Sequence, residues 1–466
     1  MNEAKPSSSS KIEKPPTRQW IKADEINVNE VHPFGGITVM CLNVLSDRYT
    51  TGEPVQGYEG QLFKPGEIHN RAKYSYCPDE YLDWDYRKNL LLREIEVTNP
   101  DVACLQEVEK RQFGIFFNKK LTKLGYKGVY LARSSGNRKR GKDEANRVDG
   151  CAIFYKKDRL ALIQTEEIDF NAAIQDTSEW SDTSVGGLCG GRDDCSQDET
   201  NEFAFEMTRL LTNQGCVALC AMFRTNYGFW PQNEVPEVNE GRHRNILVCN
   251  AHLESKFSMP DVRIVQAMVM VKRAKEMLNN YHDSQVVICG DLNALPTSGC
   301  LRYLTEGKIS VKDSEFYNMP YENLLQKMFG KPNEDGYYTH DLGLATAVKP
   351  NVMSYSCLQP EFKGMLDHIL YQKENFHMYE SLSGPVDEEW LKTHQIEGAP
   401  SQHLPSDHFP LAAKLVLNPD TLQEEDPLEK MEETCENIIK ATSSSVALEN
   451  DFAINQNINE EMNKLN

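Results

Sequence analysis

Apolar residues in this chain come in short runs closed by polar residues. The runs recur at Ile37–Leu42, Val102–Gln106, Cys151–Tyr155, Val217–Phe223, Ile246–His252, Val286–Cys289, Met365–Tyr371 and Leu411–Leu417. Nearly continuous runs of this kind predict strands covered on both faces. Between them, Asp85–Asn99 sets Tyr86, Leu90, Ile95 and Val97 among charged residues, and Pro100 follows as a stop signal. Pro260–Tyr281 places Ile264, Met268, Val271 and Leu278 at helical spacing, with Asp261 in the first turn. The order is strand, helix, strand, further strands, then a helix before Val286. It predicts one two-layered β core with helices outside rather than two separate domains.

Composition narrows the picture. A chain of 466 residues holds two or three average domains, or one large α/β sandwich with tails. It is 39% hydrophobic and 26% charged, and no window approaches the roughly 18 apolar residues of a membrane span, so no membrane role is expected. No repeat and no leucine-rich array is visible. Thirteen cysteines without a CxxC pair, several of them inside apolar runs, read as buried free thiols in a reducing compartment rather than as bridges or a zinc site.

The net charge of −20 argues at first against a nucleic-acid enzyme, because phosphate binding is driven by cations. The charge is local, however. Residues 418–466 hold twelve acidic and three basic residues, and residues 171–207 nine and one, which leaves the remainder near neutral. That remainder includes Arg133, Arg138, Lys139, Arg140, Lys142 and Arg147, which read equally as a phosphate-facing stretch or an ordinary solvated loop. The expected organisation is a disordered lead-in (1–36) without a targeting signal, a catalytic domain (37–417) with an acidic insertion at about 171–207, and an acidic tail (418–466). A cytoplasmic setting is expected, with the nucleus as the alternative.

Polar residues able to handle metal or phosphate stand at the ends of the apolar runs. Asn43, Glu107 and His252 close three of them, Asp291 and Asn293 follow a fourth, and Asp407 and His408 precede Leu411. Asp149 and Asp367 stand just before Cys151–Tyr155 and Ile369–Tyr371. A hard cation takes oxygen ligands, and Glu107, Asp291 and the amide oxygens of Asn43 and Asn293 supply such a set. Two ions there would activate a water and stabilise a departing oxygen. His252 and His408 can donate to the non-bridging oxygens, and Asp367 can orient His408. Each residue alone reads as well as a turn former, a cap or a satisfied core histidine. Their joint occurrence in order carries the argument.

Six ordered motifs resemble the signature blocks of the exonuclease–endonuclease–phosphatase superfamily. They are Leu105–Gln106–Glu107–Val108, Val148–Asp149–Gly150–Cys151–Ala152–Ile153–Phe154, Asn250–Ala251–His252–Leu253, Gly290–Asp291–Leu292–Asn293, Phe362–Lys363–Gly364 with Asp367, and Pro405–Ser406–Asp407–His408. Their wording is nearest to the carbon-catabolite-repressor-type deadenylase branch, which includes nocturnin and the angel proteins. The resemblance runs from about Ile37 to Leu417. It implies a four-layer α/β sandwich of two packed β-sheets flanked by helices, with the site in an edge cleft. It implies two magnesium ions, with manganese as a substitute, at Glu107, Asn43, Asp291, Asn293 and Asp407. His252 and His408 would contact the phosphate, and Phe362, Pro260 and Asp149 the substrate. Where the branch's founding members carry a leucine-rich docking domain, this sequence shows none, so recruitment to the large deadenylase complex by that route is not expected. His368 replaces an aromatic residue common in the branch.

The leading expectation is an enzyme that trims RNA 3′ ends in the 3′-to-5′ direction, on poly(A) or another RNA, releasing nucleoside 5′-monophosphates. A phosphatase of the same fold acting on cyclic-phosphate RNA ends or on a phosphorylated dinucleotide would use the same residues, since fold does not choose chemistry. A non-catalytic RNA-binding scaffold is the alternative of another class, and the presence of Glu107, Asp291 and His408 speaks against it.

Overall fold

A computed structural model describes residues 14–23, 36–50, 73–134, 147–175, 210, 215–226, 244–281, 283–316, 322–384 and 387–417. The expected acidic insertion beyond residue 175, the acidic tail, most of the lead-in and Arg138–Lys142 lie outside these residues.

In chain order the strands are β1 (Trp20–Lys22), β2 (Gly36–Asn43), β3 (Val102–Gln106), β4 (Tyr126–Ala132), β5 (Gly150–Lys156), β6 (Leu160–Asp169), β7 (Val217–Thr225), β8 (Asn245–His252) and β9 (Ser284–Asp291). They continue with β10 (Lys308–Ser310), β11 (Tyr337–Thr339), β12 (Leu344–Thr346), β13 (Cys357–Gln359), β14 (Phe362–Gly364), β15 (Asp367–Gln372), β16 (Phe376–Leu382) and β17 (Leu411–Leu417). One sheet has the order β1-β16-β17-β2-β3-β5-β4 and the other β12-β15-β9-β8-β7-β6, while β10–β11 and β13–β14 form small separate pairs.

The alternation along each strand sorts side chains into three cores. Ile37, Val39 and Cys41 of β2 point between the sheets, with Val102, Cys104, Val248, Val287, Cys289 and Ile369. Met40 and Leu42 point outward onto α1 (Trp84–Thr98). On the other sheet, Leu247, Cys249, Ala251, Val286 and Ile288 lie under α2 (Pro260–Leu278). Helix, sheet, sheet and helix give four layers. Because both faces of the central strands are covered, those strands read as unbroken apolar runs. Ten cysteines among the described residues are free and buried, several of them between the sheets.

Helix α1 ends where the sequence predicts, and α2 begins at the predicted Pro260 but stops at Leu278, three residues short of Tyr281. Asp83 caps α1 by accepting from the backbone of Asp85 and Tyr86, and Asn99 closes it in the left-handed region ahead of Pro100. Proline opens α2, where its missing N–H costs nothing. The strands without a counterpart in the expected runs are mainly β4, β6 and β16. Strand β6 is an edge strand whose central Gln164–Glu167 faces solvent for the most part, so it presents no apolar run. No helix among the described residues is long and apolar enough to cross a membrane.

Candidate active site

Strand register gathers the polar residues at one edge of the sandwich. His252 of β8 lies opposite Asp291 of β9, and Asp291 lies opposite Asp367 of β15. Three consecutive strand ends therefore present His, Asp and Asp side by side. In the other sheet Asn43 of β2 lies opposite Gln106 of β3, and Glu107 follows directly. Below this edge Gln106 Nε2 donates to Asn250 Oδ1 across the sheets at 2.7 Å, and Asn250 Nδ2 donates to the carbonyls of Leu105 and Ala152. That buried amide pair fixes one sheet against the other just beneath the site.

Asn43 joins the two halves. Its Nδ2 donates to Glu107 Oε1 at 3.1 Å and to Asp291 Oδ2 at 3.0 Å, while its Oδ1 accepts from Leu45 N. Asn43 thus holds two carboxylates in place with its amide nitrogen, where the sequence suggested an oxygen ligand. Glu107 Oε2 accepts from Ser46 N. Glu107 has φ 59° and Asn293 φ 47°, both in the left-handed region that a Cβ disfavours. Backbone strain of this kind, about 1–3 kcal/mol each, collects at functional sites. Gly290 places Asp291: a Cβ there would lie 2.1 Å from the Ala251 carbonyl oxygen, so only glycine lets β8 and β9 approach so closely ahead of the carboxylate.

The histidines face Asp291 from two sides, with His252 Nε2 at 3.5 Å and His408 Nε2 at 3.7 Å from its Oδ2. Asp367 Oδ2 accepts from His408 Nδ1 at 2.7 Å, the orienting pair the sequence suggested. Burial works against charge on His408, but Asp367, Cys357 and Asp291 outweigh it and hold the ring well above the usual imidazole range. Burial, then Arg133 and His408, push His252 well below that range. Burial lifts Glu107, with Asp149 and Asp407 adding to it. Asp291 is pushed up to about 7 by burial and by Asp367, against the pull of His408 and Asn43.

These carboxylates suit a cation. Asp367 Oδ1 is buried without a hydrogen-bond partner, and Asp291, Asp367 and His408 each bring a ligand atom within 4.8 Å of the others. Hard oxygen donors crowded at this density call for a divalent metal. Glu107 remains partly exposed and open to one. Asn293 donates its N–H to Asp291 Oδ1 and its Nδ2 to the Leu253 carbonyl, which leaves its amide oxygen as the donor it can offer.

Other expected contacts are corrected. Pro260 is buried in the first turn of α2 and cannot reach a base. Asp149 is fully buried, its oxygens taken by Arg133 Nε at 2.7 Å, Tyr49 OH at 3.3 Å and Arg48 at 3.6 Å, so it supports the site from behind and does not touch substrate. Arg133 is likewise turned inward, and Arg147 faces Asp47 at 3.8 Å. Asp407 Oδ2 accepts from Tyr74 OH at 2.9 Å and Gln359 Nε2 at 2.7 Å, and Asp407 forms with Cys357 and His408 a second group able to hold a metal. His368, the departure from the family pattern, bonds the Ala294 carbonyl and steadies the loop after Asn293.

Phe362 is half-buried and outside the hydrophobic cores, its ring lying over Gly364, where a Cβ would meet Cζ at 2.7 Å and Leu295 at 3.1 Å. Sequence reasoning missed Phe257, which is 81% exposed at the tip of the loop after His252. That loop is fastened, since Arg263 Nη1 donates to the carbonyls of Glu254 and Lys256, and Gln266 accepts from Glu254 N. A Phe among Ser and Lys was the available signal. Arg87 was missed too: fully buried in α1, its Nη1 donates to the carbonyls of Val44, Leu45 and Pro405, tying the loop after Asn43 to the loop before His408.

Residues 40–178 match the model of the Endonuclease/Exonuclease/phosphatase family. The chain is 30% identical to the CCR4-NOT transcription complex subunit 6-like of Danio rerio, over 87% of this chain and 66% of that protein. It is 25% identical to the CCR4-Not complex 3′-5′-exoribonuclease subunit Ccr4 of Candida albicans, over 85% of this chain and 43% of that one. The chain therefore spans just under two thirds of the first relative and less than half of the second. Among solved structures, that of ANGEL2, a 2′,3′-cyclic phosphatase, in complex with adenosine-2′,3′-vanadate superposes with a TM-score of 0.57 at 21% identity, covering 86% of this chain and 98% of that one, which establishes the shared fold. The family match over residues 40–178, the six ordered motifs and relatives aligned over most of this chain make the chain similar to the endonuclease/exonuclease/phosphatase family.

Proposed function

We propose that this protein is a magnesium-dependent phosphodiesterase acting on RNA, a 3′-to-5′ exoribonuclease that releases nucleoside 5′-monophosphates. The observation that carries it is Asn43 bridging Glu107 and Asp291, which joins carboxylates from the two sheets into one acidic centre flanked by two histidines. Glu107 and Asp291 would hold the metal, with Asn293 beside them, and the bound ions would supply an activated water and stabilise the departing oxygen. His408, kept cationic by Asp367, and His252 donate to the non-bridging oxygens as charge grows there. Phe362 stacks on the terminal base. The names of the curated relatives support the exoribonuclease reading, and ten buried free thiols support a cytosolic setting.

The test is hydrolysis of four substrates with magnesium and with chelator: a poly(A)-tailed RNA, an RNA without adenosine, an RNA ending in a 2′,3′-cyclic phosphate, and a phosphorylated dinucleotide. Stepwise shortening of tailed RNA, abolished by chelator, is the expected result. Turnover of the cyclic phosphate or the dinucleotide alone replaces the nuclease with a phosphatase, and turnover of none sinks the proposal.

A further inference from the structure

Arg133 follows β4 and is 7% exposed. Its Nε donates to Asp149 Oδ2 at 2.7 Å, its Nη1 points to Cys216 Sγ at 3.5 Å, and its Nη2 lies 2.6 Å from His252 Nδ1. A guanidinium has only donors. The contact with His252 therefore runs one way: Arg133 donates, and Nδ1 accepts through its lone pair. The ring's hydrogen is then on Nε2, the nitrogen that faces Asp291 Oδ2 at 3.5 Å.

We infer that Arg133 is a positioning residue that fixes His252 in the Nε2–H form, so that this ring donates a hydrogen bond into the site and takes no proton from it. The kinetic consequence rests on the proposed phosphodiesterase reading, whereas the tautomer follows from the contacts alone. The two histidines are built as opposites. In both, Nε2 faces Asp291, but behind Nδ1 stands a carboxylate in His408 and a guanidinium in His252. His408 has an acceptor behind its Nδ1 and His252 a donor, so the two Nδ1 atoms are held in opposite hydrogen-bond roles. Asp149 completes the arrangement: it balances the Arg133 charge in the interior and aims the fork. Held by Asp149, Cys216 and His252 and almost wholly covered, Arg133 does not face a phosphate itself.

The experiment uses full-length protein carrying 15N-labelled histidine, with the His252 resonances identified by their loss in His252→Gln. Long-range 1H–15N correlation spectra distinguish a protonated from an unprotonated ring nitrogen. Arg133→Met removes the nearest ion-pair partner of the buried Asp149 and can unfold the protein, so Arg133→Met/Asp149→Asn serves as the main variant. Arg133→Lys retains one donor. The expected spectra show a single Nε2–H form in the wild type and in Arg133→Lys, and a mixture containing Nδ1–H in the double variant. On tailed RNA, kcat in the double variant falls roughly ten- to a hundredfold, as for other outer groups that orient a histidine, with KM within about twofold of wild type and partial recovery in Arg133→Lys. An unchanged tautomer in the folded double variant overturns the inference. So does a salt-dependent rise in KM with kcat intact, which would make Arg133 a phosphate ligand. If the wild type hydrolyses no substrate, the proposed function fails while the spectra still decide the inference.

Discussion

Replacing Arg87 with Met tests whether one buried side chain holds the two halves of the site together. Methionine keeps an apolar stem in the same space and removes the guanidinium. Four hydrogen bonds go: Nε to Leu82 O at 3.0 Å, and Nη1 to Val44 O at 3.1 Å, Leu45 O at 2.9 Å and Pro405 O at 3.1 Å. Each buried acceptor left without a donor costs about 1–3 kcal/mol, and relief from burying a cation offsets part of the sum. The net loss should be about 3–5 kcal/mol, the range for removing one member of a buried charged arrangement. Function should suffer beyond this, because Leu45 is two residues from Asn43 and Pro405 three from His408. Urea unfolding followed by tryptophan fluorescence reads the first effect directly, since Arg87 lies 5.5 Å from the Trp84 ring, and kcat on the same preparation reads the second. A stability loss under about 1 kcal/mol, or a destabilised protein with normal kcat well below its unfolding midpoint, refutes the reasoning.

Glu107→Ala should abolish metal-dependent turnover while the far-ultraviolet circular dichroism stays native, and appreciable turnover in the folded variant would remove Glu107 from the centre. Phe362→Ala should slow RNA hydrolysis by roughly ten- to a hundredfold, the contribution of one stacked base, without an early melt, because the ring is only half-buried. Normal turnover on poly(A) rules that contact out. Without metal, the folded protein holds a proton on Asp291 that the unfolded chain loses near pH 4, so stability falls as pH rises from about 4 to about 7. The pH-dependence of Tm measured in chelator should be shallower in Asp291→Asn than in wild type, and identical curves contradict the assignment.

Much of the fold was legible because the central strands are covered twice. Ile37–Leu42 and Val102–Gln106 had to be strands in a filled sandwich, and the polar residue closing each had to stand at an edge. Edge strands left a weaker trace: Gln164–Glu167 in β6 resembles a loop in its composition, and only pairing with β7 makes it a strand. The site was legible as a roster of residues but not as a geometry. Glu107, Asp291, Asp367, His252 and His408 meet as the spacing of their motifs suggested. Which atom of Asn43 faces inward, and whether Asp149 touches substrate or a neighbouring arginine, depends on partners distant in sequence. Arg87 escaped notice for the same reason, and Arg133 was legible only as part of a basic stretch facing phosphate or solvent. A lone arginine in a charged helix or loop looks like surface until the fold closes over it.

The acidic centre straddles a seam, with Asn43 and Glu107 on one sheet and Asp291, Asp367 and His252 on the other. A slip of one residue along a strand moves a side chain by about 3.3 Å, farther than the difference between a hydrogen bond and none. Side chains between the sheets, such as Val39, Cys104, Val248 and Cys289, therefore act as spacers as well as ballast. Exchanging one for a bulkier neighbour would leave every polar residue intact and still detune the site, as a shim of the wrong thickness spoils a vice. Loss-of-function substitutions in this chain should consequently include small volume changes deep in the sandwich, at positions no inspection of the catalytic residues would flag.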